Sequence, residues 1–521
     1  MDKKWWTLLA VCAGTFMLLL DVTIVVIALP EIQRSLHASF AGVQWVVDAY
    51  ALTLAALLLT SGALADRYGR RRLFAVGLSI FTVGSLLCGL AQSPAMLIAS
   101  RCGQGVGGAL MFATSLALLA RTFHGSDRAV AFSAWGATTG AAVALGPILG
   151  GAITNGIGWR WIFLANIPVG VLALAVTLRK IQESRAPAVS RPDWTGFVLL
   201  TGGLVGLVYG LIRASETTWT DHRVLACLAA GAVLLTSFVI VEARVTHPMF
   251  DLSLFRTPTF VGGSIAAFTM NASLFAMFLY LVIYLQNDLG YSSLGAGLRL
   301  LIITGALLVT AAVSGRLSEH LPIRLLIGPG LALVGIGLFL MSGLHGDSSW
   351  THLVPGFIVA GIGAGLVNPP LAATAIGVVT PERSGMASGV NSTFRQVGIA
   401  TSVAVLASVL SSSLRRNLDH ALTAIPSLHG RSAQIAASIR QGDTGTVLAS
   451  VRPQQRAVLG TAIRNSFAAS INDLLVVTGT VALVGAVCAL TLIRTRDIIA
   501  SESGEQLSQP QSPAELHPAA R

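Results

Sequence analysis

Long apolar stretches separated by short polar ones run the length of this chain. A window of about 19 residues finds roughly fourteen segments long enough to cross a bilayer. Their approximate limits are 5–29, 43–65, 72–91, 94–120, 128–153, 159–178, 194–212 and 223–242, then 259–286, 294–315, 323–343, 351–378, 385–411 and 471–493. A helix satisfies its own backbone where water is absent, so each segment predicts a membrane-spanning helix. The pattern breaks at 413–470, which is rich in Ala, Ser, Arg and Gln with amphipathic patches such as Ile435–Ile439 and predicts short helices on the outer face. Residues 494–521 predict a cytoplasmic tail, disordered from 499, where the chain is polar and Pro-containing.

Composition agrees: 54% of residues are hydrophobic, 11% are charged and the mean hydropathy is +0.74, outside the range of soluble domains. The fold class expected is an all-α polytopic membrane protein. A net charge of +11 would suit a nucleic-acid partner, but the position of the charge decides against one. With the amino terminus inside, the inside segments carry nineteen Lys and Arg, whereas the short outside loops carry four, Arg34, Arg160, Arg213 and Arg223. That asymmetry puts both termini in the cytoplasm. Eight of the nine tryptophans fall at predicted span ends, and Trp135 alone lies inside one.

Five scattered cysteines, Cys12, Cys88, Cys102, Cys227 and Cys488, form no CxxC pair and predict neither a disulfide nor a metal site. The first span is too long for a signal-peptide core and is expected to stay attached. The chain has no GxxxxGK[ST] loop, so nothing points to a nucleotide, a cofactor or an enzyme. Lysine is confined to Lys3, Lys4 and Lys180 beside abundant Ala, Gly and Arg, which suggests a GC-rich bacterial source.

Ionisable groups inside spans are costly and mark ion, proton or substrate paths. Asp21, Asp48 and Arg101 lie roughly 12, 8 and 10 Å below the outer ends of their spans at about 1.5 Å per residue, hence at similar depth. A carboxylate beside a guanidinium is balanced between desolvation and attraction, so such a pair could load and release a proton. A static ion pair for Arg101 and a hydrated interfacial place for Asp48 are the competing readings. The second half offers Asn271, Asn368, Asn391, Arg395 and Gln396, as interhelical bonds or cavity lining. Trp135 could stack on a planar or cationic substrate or serve as core.

Gly62-Ala63-Leu64-Ala65-Asp66-Arg67-Tyr68-Gly69-Arg70 after span 2 and Gly315-Arg316-Leu317-Ser318-Glu319 after span 10 share one frame, a weak internal repeat that predicts a transporter of related bundles. The units expected are a six-helix bundle at 1–180, two inserted helices at 194–242, and a second six-helix bundle at 255–493 with the external segment 413–470. Arg67 and Arg70 to Arg72 read equally well as topology anchors. In span 5, small residues four apart, including Gly136 and Gly140, then Gly146 and Gly150, permit close helix approach, and Pro147 predicts a bend.

Together these segments resemble the major facilitator superfamily, within it the fourteen-span drug:proton antiporter branch. The resemblance rests on Leu20 to Pro30 in span 1 (with Val26 where Asn is common), Gly62 to Arg72, Arg101 to Gly105, Gly140 to Gly151, Trp159 to Phe163, and Gly389 to Gln396. Ile302 stands where the branch often has Pro. The resemblance implies a major facilitator fold and a latch in which Asp66 pairs with Arg70 and the start of span 13. It also implies an antiporter motif at Gly140, Gly146, Pro147, Gly150 and Gly151. The function expected is proton-driven export of small amphipathic or antibiotic-like molecules from the cytoplasmic membrane, by a monomer whose partners are substrate, protons and lipid. A nutrient facilitator or symporter, or a non-transporting membrane sensor, are the alternatives.

Overall fold

In the computed structural model, residues 3–123, 126–184, 193–217, 219–245, 252–318, 321–379, 384–422, 435–436, 438–439, 451 and 453–497 are described. Every regular element among them is helical. The chain runs α1 (Lys3–Ser35), α2 (Phe40–Tyr68), α3 (Arg70–Gly89), α4 (Pro94–Thr122), α5 (Ser126–Gly156), α6 (Arg160–Leu164) and α7 (Asn166–Lys180). Then follow α8 (Trp194–Glu216), α9 (His222–Glu242), α10 (Pro258–Met270), α11 (Ala276–Ile283), α12 (Ser293–Leu317), α13 (Arg324–Leu340), α14 (Val354–Gly377), α15 (Ser384–Leu422) and α16 (Pro453–Leu492). Single π-helical turns at Asn271–Phe275 and Tyr284–Asp288 join and extend α10 and α11 into one span, Pro258–Asp288.

Twelve of these helices are long and apolar enough to cross a membrane, and bent α5 makes thirteen. The stretch expected at 323–343 forms α13, which is apolar but only 17 residues long. At about 1.5 Å per residue it reaches roughly 26 Å, just under a typical hydrocarbon thickness.

Helices α1–α7 pack mainly among themselves, as do α10–α16. Helices α8 and α9 form a hairpin whose glycines interlock: a Cβ on Gly206 would lie 3.1 Å from the Cα of Gly231. Their other faces carry exposed apolar residues such as Val198, Leu225 and Val233, which suit lipid. Contact between the two large groups runs along two seams, α5 against α12 and α2 against α15.

Both ends of the described chain lie at one end of the molecule; the opposite, distal end holds the α1–α2 and α5–α6 connections. Near it one apolar core joins Ile24–Ile32 of α1 to α10–α16. Two neutral hydrogen bonds cross between the groups there: Gln286 Nε2 donates to Ile27 O at 2.9 Å, and Gln44 Nε2 donates to Val403 O at 3.3 Å.

Two boundaries differ from the sequence expectation. Helices α15 and α16 continue to Leu422 and back from Pro453, so 413–422 and 453–470 extend spanning helices instead of forming separate surface ones. The reason is that helix capacity outlasts hydropathy: their distal turns are polar outside but bury Leu414, Leu418, Leu459 and Ile463. Most of 423–452, with it the patch at 435–439 apart from four residues, lies outside the described residues. Arg494–Asp497, assigned to the tail, is ordered: Asp497 Oδ2 accepts from Thr259 Oγ1 at 2.7 Å and caps α10. Residues 498–521 are outside the described set.

Candidate functional site

Asp21 sits mid-way along α1 at 1% exposure, and Arg101 of α4, also at 1%, pairs directly with its Oδ2 through Nη1. A guanidinium removed from water needs its remaining donors satisfied. Arg101 Nε donates to Val46 O of α2 at 3.0 Å and Nη1 to Gln104 Oε1 at 2.9 Å, while the Tyr50 ring covers its face at 4.2 Å. The second oxygen of Asp21 accepts from Gln104 Nε2 and Asn166 Nδ2, each at 3.4 Å. Both amides also donate to Ser85 Oγ, at 2.6 and 3.3 Å. Side chains from α1, α3, α4 and α7, with a carbonyl of α2, therefore meet in one closed polar cluster inside an apolar bundle.

Glycines make the approach possible. A Cβ on Gly84 would lie 2.8 Å from Gln104 Cγ, and one on Gly105 would lie 2.8 Å from Tyr50 O. Of the cluster, the sequence singles out Asp21 and Arg101; Ser85 and Asn166 carry no signal, because a lone small polar residue in a span most often bonds its own helix.

Asp48 stands apart from that cluster. It is 0% exposed, and among the described residues neither carboxylate oxygen has a hydrogen-bond partner. One turn before it, on the same face of α2, Gln44 reaches Val403 of α15, and Tyr280 donates to that same carbonyl at 2.7 Å. Asp48 therefore faces the seam between the two helix groups, whereas Asp21 and Arg101 lie within one.

In α5 the antiporter-like residues produce a bend and a contact. Pro147 has no N–H, and its ring crowds the carbonyl four residues earlier. The helix breaks there, Ala134–Ala142 and Leu145–Gly156 meeting at 43°. Gly146 lies against the Thr23 side chain, and a Cβ on Gly150 would be 3.0 Å from Ile24 O. On the other face a Cβ on Gly151 would be 2.6 Å from Ser293 O of α12, whereas Gly140 has 3.3 Å to Leu308 Cδ1 and Gly136 has nothing within 4 Å. The α5–α12 seam is thus tight at the distal end and loose toward the termini.

The loop motif separates α2 from α3. Gly69 has φ +110°, a conformation glycine adopts without penalty, and Gly62 has open space around its Cα. Glu183, which follows α7, caps α3: it accepts from Arg71 N at 3.1 Å and Arg72 N at 3.2 Å. Arg70 N donates to Ser184 O at 3.1 Å, and Arg70 Nη1 to Ala117 O at 3.4 Å. The side chains of Asp66 and Arg67 lie outside the described residues, and with them the expected latch.

In the second group Arg395 of α15 bonds Asn391 Oδ1 through Nε at 3.3 Å and Asn368 Oδ1 of α14 through Nη1 at 3.2 Å. Asn271 donates to Ala267 O at 2.8 Å, within its own helix, where the π turn begins. Trp135 Nε1 donates to Thr15 Oγ1 at 3.1 Å, and its ring lies 6.0 Å from that of Phe112.

A family model described as Major Facilitator Superfamily matches residues 11–403. The Multidrug resistance protein Stp of Mycobacterium tuberculosis (strain CDC 1551 / Oshkosh) is 37% identical over 81% of this chain and 78% of its own. The Tetracenomycin C resistance and export protein of Streptomyces glaucescens is 35% identical over 94% of this chain and 91% of its own. Among solved structures, a bacterial homologue of the human lysosomal transporter Spinster, inward-facing and unoccupied, aligns with a TM-score of 0.61 at 16% identity over 96% of this chain and 99% of its own, a likeness of fold. A match across most of the chain, relatives above 30% identity over nearly its whole length, and a helical fold shared with a solved transporter lead to one assignment: this multi-pass membrane protein belongs to the Major Facilitator Superfamily.

Proposed function

We propose that the chain is a proton-coupled antiporter that exports small amphipathic or antibiotic-like molecules across a bacterial cytoplasmic membrane, with its distal end outside and both termini inside. The units 1–180 and 255–493 rock against each other by alternating access, carrying 194–242 with them. The observation that carries this reading is the contrast between two fully buried carboxylates in the first unit. Asp21 has a guanidinium and two amide donors as partners. Asp48 has no hydrogen-bonding partner among the described residues, so its burial lacks the compensation that Asp21 receives. Because Asp48 faces the seam, opening the distal end would expose its carboxyl to water, and the exchange of a proton against substrate is assigned to Asp21 within the bundle.

Drug-named relatives support the cargo class. The bend at Pro147 and the tight distal half of the α5–α12 seam support rocking about that end. The test is substrate-induced proton release from purified protein, alongside export into everted vesicles energised by a proton gradient. Asp21→Asn keeps the size and hydrogen-bonding reach of the side chain but cannot titrate; release and export should both collapse. Release equal to that of the unmodified chain would remove Asp21 from the coupling step and leave Asp48 as the candidate. Substrate uptake in the same direction as protons would refute antiport altogether.

A further inference from the structure

Two arginines placed well inside spanning helices, Arg101 fully buried and Arg395 partly buried, are in opposite electrical situations. Arg101 is neutralised by Asp21 and stacked on Tyr50. Arg395, eleven residues into α15 and so about 16 Å from that helix's start, has among the described residues two neutral amide oxygens. A guanidinium has five N–H donors. Two are engaged, which leaves three, both of those on Nη2 among them, with no acceptor among the described residues. Among the described residues no carboxylate pairs with it. On α15 and α16 the acidic side chains stand toward the distal end: Asp473 pairs with Arg416, which is twenty-one residues or about 30 Å along α15 from Arg395.

A cation at mid-membrane depth without a counter-charge is expensive to keep, and planar N–H forks match carboxylates and sulfonates better than any neutral acceptor. Asn391 and Asn368 hold the guanidinium from its Nε and Nη1 sides, one from its own helix and one from α14, so its free Nη2 is fixed in direction. We infer that Arg395 is the recognition point for an anionic group on the exported molecule, and that the preferred cargo is an amphipathic anion: an aromatic carboxylate, sulfonate or ionised phenol. The inference rests on the export reading for its physiological meaning, but the binding preference stands or falls separately. The cargo's charge completes the ion pair that the described residues leave open.

The experiment is equilibrium dialysis of radiolabelled naphthoate and naphthamide, equal in shape and different in charge, against the full chain in nanodiscs of zwitterionic lipid, with empty nanodiscs subtracted. The unmodified chain should bind naphthoate at least about tenfold more tightly than naphthamide. Arg395→Gln should bring the ratio to about one by weakening naphthoate alone, and Arg395→Lys, which keeps the charge but lacks the planar fork, should restore part of it. Equal binding of the two probes by the unmodified chain, or no protein-dependent binding of naphthoate, overturns the inference without relying on any variant's folding. An unchanged ratio in Arg395→Gln, or equal weakening of both probes, makes Arg395 a tie between α14 and α15 and overturns it as well. Export can fail in the vesicle assay while this ratio holds, and the ratio can fail while export persists, so the two readings are separable.

Discussion

Replacing Gly151 by alanine tests whether the distal α5–α12 contact sets the conformational balance. The added Cβ would fall 2.6 Å from Ser293 O and 2.7 Å from Leu294 Cα. Both are backbone atoms, so no side chain can rotate away. Reaching an ordinary contact of 3.4 Å requires about 0.8 Å of separation between two helices that touch along several turns. Overpacking of this kind costs about 1–3 kcal/mol, while alanine returns up to about 1 kcal/mol of helix propensity. The same propensity gain accrues to Gly136→Ala, where the new Cβ meets nothing within 4 Å. The difference between the two variants therefore isolates the seam, and each 1.4 kcal/mol moves the population of distally closed molecules by about tenfold. Spin labels on cysteines introduced at Asn155 and Ser292, in a background with the five native cysteines replaced, report the distance across it by double electron–electron resonance. Gly151→Ala should broaden the distribution toward longer distances and lower transport, and Gly136→Ala should match the parent. Identical distributions in all three proteins would show that the seam yields locally and does not control opening.

Gln104→Leu removes the amide that serves Asp21, Arg101 and Ser85 together; leaving these groups under-satisfied should lower the stability of the purified protein by about 1–3 kcal/mol, read as a fall in melting temperature in detergent. Glu183→Ala strips the cap from α3 and should cost about 1 kcal/mol, with faster proteolysis at the Gly69 turn, while Glu183→Gln should recover part of the loss. Asp66→Asn should cut transport with membrane insertion intact if the loop motif gates the molecule, whereas normal transport would reduce it to a topology anchor. A cysteine placed at Gln434 should react with an impermeant maleimide in intact cells, and reaction only after lysis would invert the proposed orientation.

The helical architecture was legible because hydropathy is a property of each segment alone: thirteen of the fourteen apolar stretches became spans or a bent span, and the remaining one a slightly short helix. The pairing of Asp21 with Arg101 was legible for a similar reason, since two opposite charges at equal depth in neighbouring spans have few other partners. What escaped was relational. Nothing local distinguishes Ser85 or Asn166 from the other small polar residues in spans, and Glu183 reads as one more charge in a connecting segment until α3 is seen to start against it. The placement of Asp48 on the seam depends on where α15 lies, which no periodicity in α2 encodes. The ends of α15 and α16 were misplaced because a hydropathy window stops at the membrane surface and a helix need not.

The two glutamines at the distal end have a bearing on speed. Gln286 and Gln44 each send one amide to a backbone carbonyl of the opposite unit, and neither contact carries a formal charge. Such bonds are each worth about 0.5–1.5 kcal/mol net, whereas swinging a balance from 1:99 to 99:1 takes about 5.5 kcal/mol. A clasp of two of them therefore biases the molecule without locking it. Had either glutamine been a glutamate facing an arginine, the contact would hold more firmly and release more slowly; in the proposed transport cycle a neutral clasp would leave the timing of opening to the arriving proton or cargo.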